Sequence, residues 1–342
     1  MNKKQLIGIA ISFIFLYFAF RGINLDEFFE LIKEGEYIWI IPALLAMILS
    51  FWIRGYRWKC ILAPVKEVSI QSAYSATMIG YMANNVLPFR MGDLIRLVAI
   101  WKEAGVSRAV ALGSVVIERI FDLFMMLAIF GLVLLAYPQL PQWAIGAGYF
   151  TIGVFVSLIF FSFYARNNVE AIVRFSKKLI SIFSDRGAER GEGIIRSFSD
   201  GLKVIHNAKD LLWLVLVSFV LWLINILWVM FTLEIFDFGL PISASLLVLI
   251  FILFAVSIPS APGYVGTFHG FVIAALVFMG INTDAARASA VVMHATNYIP
   301  ITLIGLYYLW KSNFSLKSVS ENTAKIREKM ETSRILNRNE KE

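Results

Sequence analysis

Cysteine occurs once in the 342 residues. Cys60 alone excludes an intramolecular disulfide and any cysteine-built metal framework. Charge is also scarce, with Asp, Glu, Lys and Arg at 16% of the chain against 59% hydrophobic residues. The charges fall in blocks between apolar runs, and the longest polar insert, 166–209, leaves no room for a soluble domain. No His/Cys/Asp spacing matches a zinc site, and neither a GxSxG elbow nor a P-loop is present. The expectation is a chain without cofactor or metal, not an enzyme, and not a pump driven by its own ATPase.

What remains is apolar sequence in runs long enough to cross a bilayer, which needs about 20 residues. Six runs are expected to cross fully: Gln5–Phe20 (short), Tyr37–Ile53, Ala109–Tyr137, Trp143–Ala165, Leu211–Phe236 and Arg287–Trp310. The first follows Lys3 and Lys4 like a signal peptide, but no small-residue cleavage site comes after it, so it is read as an uncleaved span. The net charge of +7 is assigned to cytoplasmic Lys/Arg excess rather than to nucleic-acid binding.

Two further apolar stretches, Ala73–Trp101 and Ile242–Ile281, are interrupted, at Asn84–Asp93 and at Pro259–Thr267. Bilayer hydrocarbon tolerates a broken backbone only against protein or a wet cavity. Paired breaks in the two halves of a membrane chain are a pointer to a transport site. Pro88-x-x-x-Gly92 and Pro262-x-x-x-Gly266 lie 174 residues apart, and the same offset roughly superposes the flanking spans. Lys and Arg concentrate at the N-terminus, in Arg54–Glu67, in the insert 166–209 (nine) and after Trp310 (eight), whereas 138–142 and 237–241 have none. Positive-inside then places both termini in the cytoplasm, provided each interrupted stretch returns to the side it entered from. The expected fold is an all-α polytopic membrane protein: an inverted repeat (about 5–137 and 143–310) with six full spans and two opposed re-entrant helical hairpins. Residues 311–342 are expected to form a charged, disordered cytoplasmic tail, and the insert 166–209 to hold two amphipathic helices, Val169–Phe183 and Glu192–Ile205, suited to anionic lipid or to the bundle face.

The chemistry is expected at the breaks. After Pro88 a helix should restart near Gly92, and its free N–H groups suit an anion, phosphate in particular, with Arg90 and Arg96 as additional donors. Asp93 either caps that helix or belongs to the site. The second break offers Pro262, Gly263, Gly266 and Thr267 as an anion nest of dipoles, with Ser260 before it and His269 in the turn that follows. Glu118, Arg119 and Asp122 lie inside the third full span, the two carboxylates on one helix face, Arg119 in reach of Asp122. Charges at that depth must pair with each other, with Arg90 or with a substrate. A proton-coupling carboxylate and a structural ion-pair network both remain open. His294 and Asn297 occupy the equivalent place in the last span, beside Pro300. Arg54 and Arg57, at the end of the second span, are expected to meet lipid headgroups, as anchors or as selectors of lipid phosphate.

Four segments taken together resemble one known family. They are Arg54-Gly55-Tyr56-Arg57-Trp58, Asn85–Asp93 with Arg96, Glu118-Arg119-Ile120-Phe121-Asp122 and Pro262-Gly263-Tyr264-Val265-Gly266-Thr267. The chain resembles the flippase-like transmembrane region of lysylphosphatidylglycerol synthases, from about Leu6 to Trp310. In the bifunctional synthases a soluble aminoacyl-transferase domain follows that region. This chain ends about thirty residues after the last span, so lysyl transfer is not expected of it. The resemblance implies an inner-membrane lipid transporter that moves an anionic or zwitterionic headgroup between leaflets: an aminoacyl-phospholipid, another phospholipid or a polyprenyl phosphate. The rivals are a membrane-embedded lipid-modifying transferase and a scaffold that recruits a lipid-modifying enzyme as partner through Val169–Phe183.

Overall fold

The computed structural model describes Ile14, Tyr17, Glu192, Ile195 and residues 20–87, 91–181, 208–258 and 260–312. Regular structure among them is entirely helical. Chain order is α1 (Leu25–Glu34), α2 (Ile40–Leu62), α3 (Ile70–Val86), α4 (Gly92–Ala104), α5 (Arg108–Ala136), α6 (Gln142–Asn167), α7 (Val169–Ser181), α8 (Ala208–Glu234), α9 (Ile242–Ser257), α10 (Thr267–Phe278) and α11 (Thr283–Lys311). Two short 3-10 turns, Tyr37–Trp39 and Pro262–Tyr264, precede α2 and α10.

Five helical stretches are long and apolar enough to cross a membrane: Tyr37–Leu62, Arg108–Ala136, Gln142–Phe160, Lys209–Glu234 and Thr283–Lys311. This is a membrane protein. The first expected span, Gln5–Phe20, lies almost wholly outside the described residues, as do most of Glu192–Ile205 and the tail from Asn313. Helices α3, α4, α9 and α10 have 17, 13, 16 and 12 residues. At 1.5 Å per residue each is shorter than a hydrocarbon core of about 30 Å.

Helix ends follow local chemistry. Ser69 and Ser107 cap α3 and α5 by accepting the N–H groups of Ser72 and Val110, and Asn282 caps α11 through Asp284. Gly105, in the left-handed region, ends α4. The second helix differs from expectation: α2 runs nine residues beyond Ile53, through Arg54 and Arg57. A hydropathy reading stops at two arginines, but their partners across the bundle let the helix continue buried.

Helix α2 packs along α8, and α3 lies between α2, α4 and α11, while α9 and α10 pair with each other and reach α5, α8 and α11. One apolar cluster joins Met47, Val248, Phe251, Leu276 and Met293; a second joins Trp58, Ile61, Ile79, Ile100 and Phe121. Outward-facing Leu135, Phe150, Phe160 and Leu212 are largely exposed, as suits side chains bathed in lipid. The chain doubles back between α3 and α4 at very close quarters. A Cβ on Gly92 would run into the Gly80 carbonyl and the Asn84 amide, so only glycine fits.

Candidate functional site

Three helices bring charge into the second cluster. From α2 come Arg54 and Arg57, three apart and so on one face; α4 contributes Asp93 and Arg96, and α5 contributes Glu118, Arg119 and Asp122. The Arg96 guanidinium grips Glu118 with two parallel bonds, Nη1 to Oε1 at 3.1 Å and Nη2 to Oε2 at 2.8 Å. Arg57 Nη2 donates to Asp122 Oδ1 at 2.7 Å and lies 3.7 Å from Glu118 Oε1. Its Nη1 donates to Ser218 Oγ on α8 at 3.1 Å. Arg54 and Arg119 each approach Asp122 Oδ2 at 3.4 Å, and Arg119 Nη2 reaches Asp93 Oδ1 at 3.4 Å.

Fit around the guanidiniums is close. Arg96 stacks over the Trp58 ring with its central carbon 3.7 Å from the centroid, and Trp58 Nε1 donates to Ser114 Oγ at 2.9 Å. Arg54 lies over the Tyr81 ring at 5.4 Å. The Nε atoms of Arg54, Arg57 and Arg96 are buried and have no hydrogen-bond partner. Four arginines face three carboxylates, so the described cluster carries one surplus positive charge in a low-dielectric setting.

These placements revise several expectations. Arg54 and Arg57 are buried, Arg57 completely, and so are not headgroup anchors at a membrane surface. Asp93 does not cap α4. The cap position is Met91, the Gly92 N–H is taken by Asn84 Oδ1 at 2.8 Å, and Asp93 turns to Arg119. Glu118 and Arg96 are paired to each other in the core. Arg90, with Pro88 and Phe89, lies outside the described residues.

The second break has no charge. Gly263 sits at φ +68°, where a Cβ would lie 2.5 Å from the Tyr298 ring. His294 Nε2 donates to the Gly263 carbonyl at 2.8 Å. His269 Nδ1 accepts the Gly266 N–H at 3.4 Å, which requires a neutral ring at that nitrogen and uses up one amide of the expected nest. The two imidazoles meet at 4.8 Å between centroids, with Phe20 on His269 and Tyr298 on His294. Thr267 Oγ1 donates to the Tyr264 carbonyl at 3.1 Å, and Asn297 Nδ2 reaches Met47 Sδ at 3.8 Å. Pro262 opens the 3-10 turn. Ser260 Oγ is buried and without a partner.

The two breaks touch. Asn85, at the end of α3, donates to Thr302 Oγ1 on α11 at 2.9 Å, and its carbonyl lies 3.2 Å from where a Gly263 Cβ would be. Trp58, Asn84 and Asn85 fall within the sequence motifs described above, whereas Ser218, in a plain apolar run, and Tyr298 carry no such signal.

Comparison with known proteins adds a family model, described as the lysylphosphatidylglycerol synthase TM region, that matches residues 5–305. A UPF0104 membrane protein of Methanothermobacter thermautotrophicus is 23% identical over 90% of this chain and 95% of its own length. Another, from Methanocaldococcus jannaschii, is 26% identical over 67% of this chain and 94% of its own. A Haloferax volcanii protein named glycosyltransferase AglD is 23% identical over 94% of this chain, but the match spans only 56% of that protein. No solved structure matches.

Proposed function

Because the chain belongs to the family of the lysylphosphatidylglycerol synthase TM region, we propose that it moves a phosphate-bearing lipid between the leaflets of the cell membrane. The observation that carries this reading is the surplus positive charge of the arginine–carboxylate cluster inside an apolar bundle, at the break between α3 and α4. Intramembrane charge is costly and persists where it serves a pathway. A phosphate neutralises the surplus and suits the planar guanidinium fork.

The rest of the proposal concerns how the chain sits. The short pairs α3–α4 and α9–α10 are read as opposed re-entrant hairpins of an inverted repeat, meeting near the bilayer midplane, with both termini cytoplasmic. The contact between Asn85 and the Gly263 turn supports this reading. Cysteine labelling in a Cys60→Ser background tests it: Glu30→Cys is expected to label from outside, and Arg186→Cys labelled from outside overturns it. Function is tested in proteoliposomes with a panel of fluorescent phosphatidylglycerol, aminoacyl-phosphatidylglycerol, phosphatidylethanolamine and polyprenyl phosphate. At least one lipid should cross faster than in protein-free vesicles, and no acceleration of any of them refutes transport.

A second reading, a lipid-modifying transferase or the membrane partner of one, is favoured by the likeness to a protein named as a glycosyltransferase. Since 44% of that protein's length is unmatched, the likeness does not attach glycosyl transfer to the shared part. Conversion of a labelled polyprenyl phosphate to a new product by the purified chain decides for this alternative.

A further inference from the structure

The charged cluster is not uniform along its length, and its two ends invite different uses. At the closed end, Glu118 is fully buried and holds Arg96 by two bonds, while Arg57 is fully buried and held by Asp122 and Ser218. At the open end, the side chains of Arg119 and Asp93 are 28% and 30% exposed. Their bridge, at 3.4 Å, is longer than those of the closed end at 2.7 and 2.8 Å. Arg119's other partner, Asp122 Oδ2, is shared with Arg54 at the same 3.4 Å. Arg119 is thus the most accessible guanidinium of the four, and neither of its bridges is shorter than 3.4 Å. Met91 and Leu94, on either side of the Gly92–Asp93 pair, are exposed and apolar, a surface on which acyl chains can lie.

We infer that Arg119 is the ligand for the lipid phosphate and that Asp93 is its resident counter-ion, displaced when the lipid arrives and restored when it leaves. This rests on reading the cluster as a lipid-phosphate site. A part-exposed bridge is weak enough to exchange, and a phosphate offers the guanidinium two acceptor oxygens in the geometry that a carboxylate uses. Asp122 stays behind to orient Arg119 throughout, because Arg57 anchors its other oxygen. The exchange also selects by charge. Among the described residues, four arginines and three carboxylates leave one positive charge, which a monoanionic phosphodiester cancels. A dianionic monoester overshoots, and it meets the displaced Asp93 at short range.

The test is equilibrium binding to the full chain in maltoside micelles. The probes are phosphatidylglycerol (a phosphodiester), phosphatidic acid (a monoester), diacylglycerol (no phosphate) and free glycerophosphoglycerol (the phosphodiester without acyl chains), the last separating a lipid ligand from a soluble one. Phosphatidylglycerol should bind more tightly than the other three. Asp93→Asn removes the competitor and should tighten phosphatidylglycerol binding by about two- to fivefold. Arg119→Gln should weaken it by about tenfold or more. In the Arg119→Gln background the gain from Asp93→Asn should vanish, an effect that a purely structural bridge does not produce. Arg119→Lys, which keeps the charge without the fork, serves where the Gln variant does not fold. It should bind with intermediate affinity and keep part of the Asp93→Asn gain, because the ammonium still pairs with Asp93, and an affinity equal to that of the unsubstituted chain counts against the guanidinium as ligand. Unchanged affinity in Asp93→Asn, or phosphatidic acid bound as tightly as phosphatidylglycerol, overturns the inference. If the pattern appears but no lipid crosses vesicles, transport alone fails; if lipid crosses and the pattern is absent, the exchange alone fails.

Discussion

The two breaks solve the same problem, a helix interrupted inside an apolar bundle, with opposite chemistry. The first surrounds itself with full charges: Arg54, Arg57, Arg96 and Arg119 against Asp93, Glu118 and Asp122. The second uses only neutral groups: the His269–His294 pair, the Thr267 hydroxyl and backbone at left-handed angles. The neutral break spends its polar groups on one another and on local backbone, Ser260 Oγ excepted. The charged one keeps a surplus positive charge among its described residues, which is why the proposed lipid phosphate is placed there. Sequence matching of Pro88-x-x-x-Gly92 to Pro262-x-x-x-Gly266 makes the two look equivalent, whereas the side chains around them assign different work.

The contrast can be broken experimentally. The largest effect is expected from Glu118→Gln, which strands Arg96 and weakens the hold on Arg57, at a cost of about 3–5 kcal/mol. Thermal unfolding in detergent measures it, and a Glu118→Leu, Arg96→Met double variant should recover most of the loss, because an apolar pair replaces a buried ionic one. In the neutral break the most sensitive position is backbone. Gly263→Ala places a Cβ at φ +68° and against Tyr298, and should cost about 2–3 kcal/mol. Equal stability for that variant would mean the turn is not held as described. Ser218→Ala removes one acceptor from Arg57 Nη1 and should destabilise by about 1–2 kcal/mol. The smallest change is expected from His294→Gln, whose amide can still donate to the Gly263 carbonyl. A shift under about 1 kcal/mol, with lipid movement retained, sharpens the view that the second break is structural; abolished movement in a stable His294→Gln protein defeats it.

Much of the architecture is legible in the sequence because it depends on local rules. Apolar runs of spanning length and a proline–glycine interruption each act through a few neighbouring residues, and α5, α6, α8 and α11 begin and end within four residues of the expected spans. The second span was drawn too short because hydropathy counts Arg54 and Arg57 as exits, while their burial depends on Asp122, which is 65 residues from Arg57. Asp93 shows the same limit. Its position in the first turn of α4 fits a cap, and only the placement of Arg119 on the neighbouring helix gives it another partner. The clustering of Glu118, Arg119 and Asp122 is readable from i, i+3 and i, i+4 spacing. Which arginine faces which carboxylate is not, since that is set by how three helices pack.

The separation between Arg57 and Asp122 also bears on how the chain is made. During synthesis α2 emerges well before α5, so its two arginines reach the insertion machinery with their carboxylate partners not yet made, each at a cost below the roughly 2.5–3.5 kcal/mol of a mid-helix arginine because both lie in the C-terminal half of α2. Ribosome-stalled chains ending before α5 should therefore keep α2 crosslinkable to the translocon, and chains extended past Asp122 should release it. Early release of α2 would show that its apolar residues suffice. Late release would make the pairing in the finished molecule a checkpoint on its own biogenesis, with α2 admitted to the bilayer only once the helix that neutralises it has arrived.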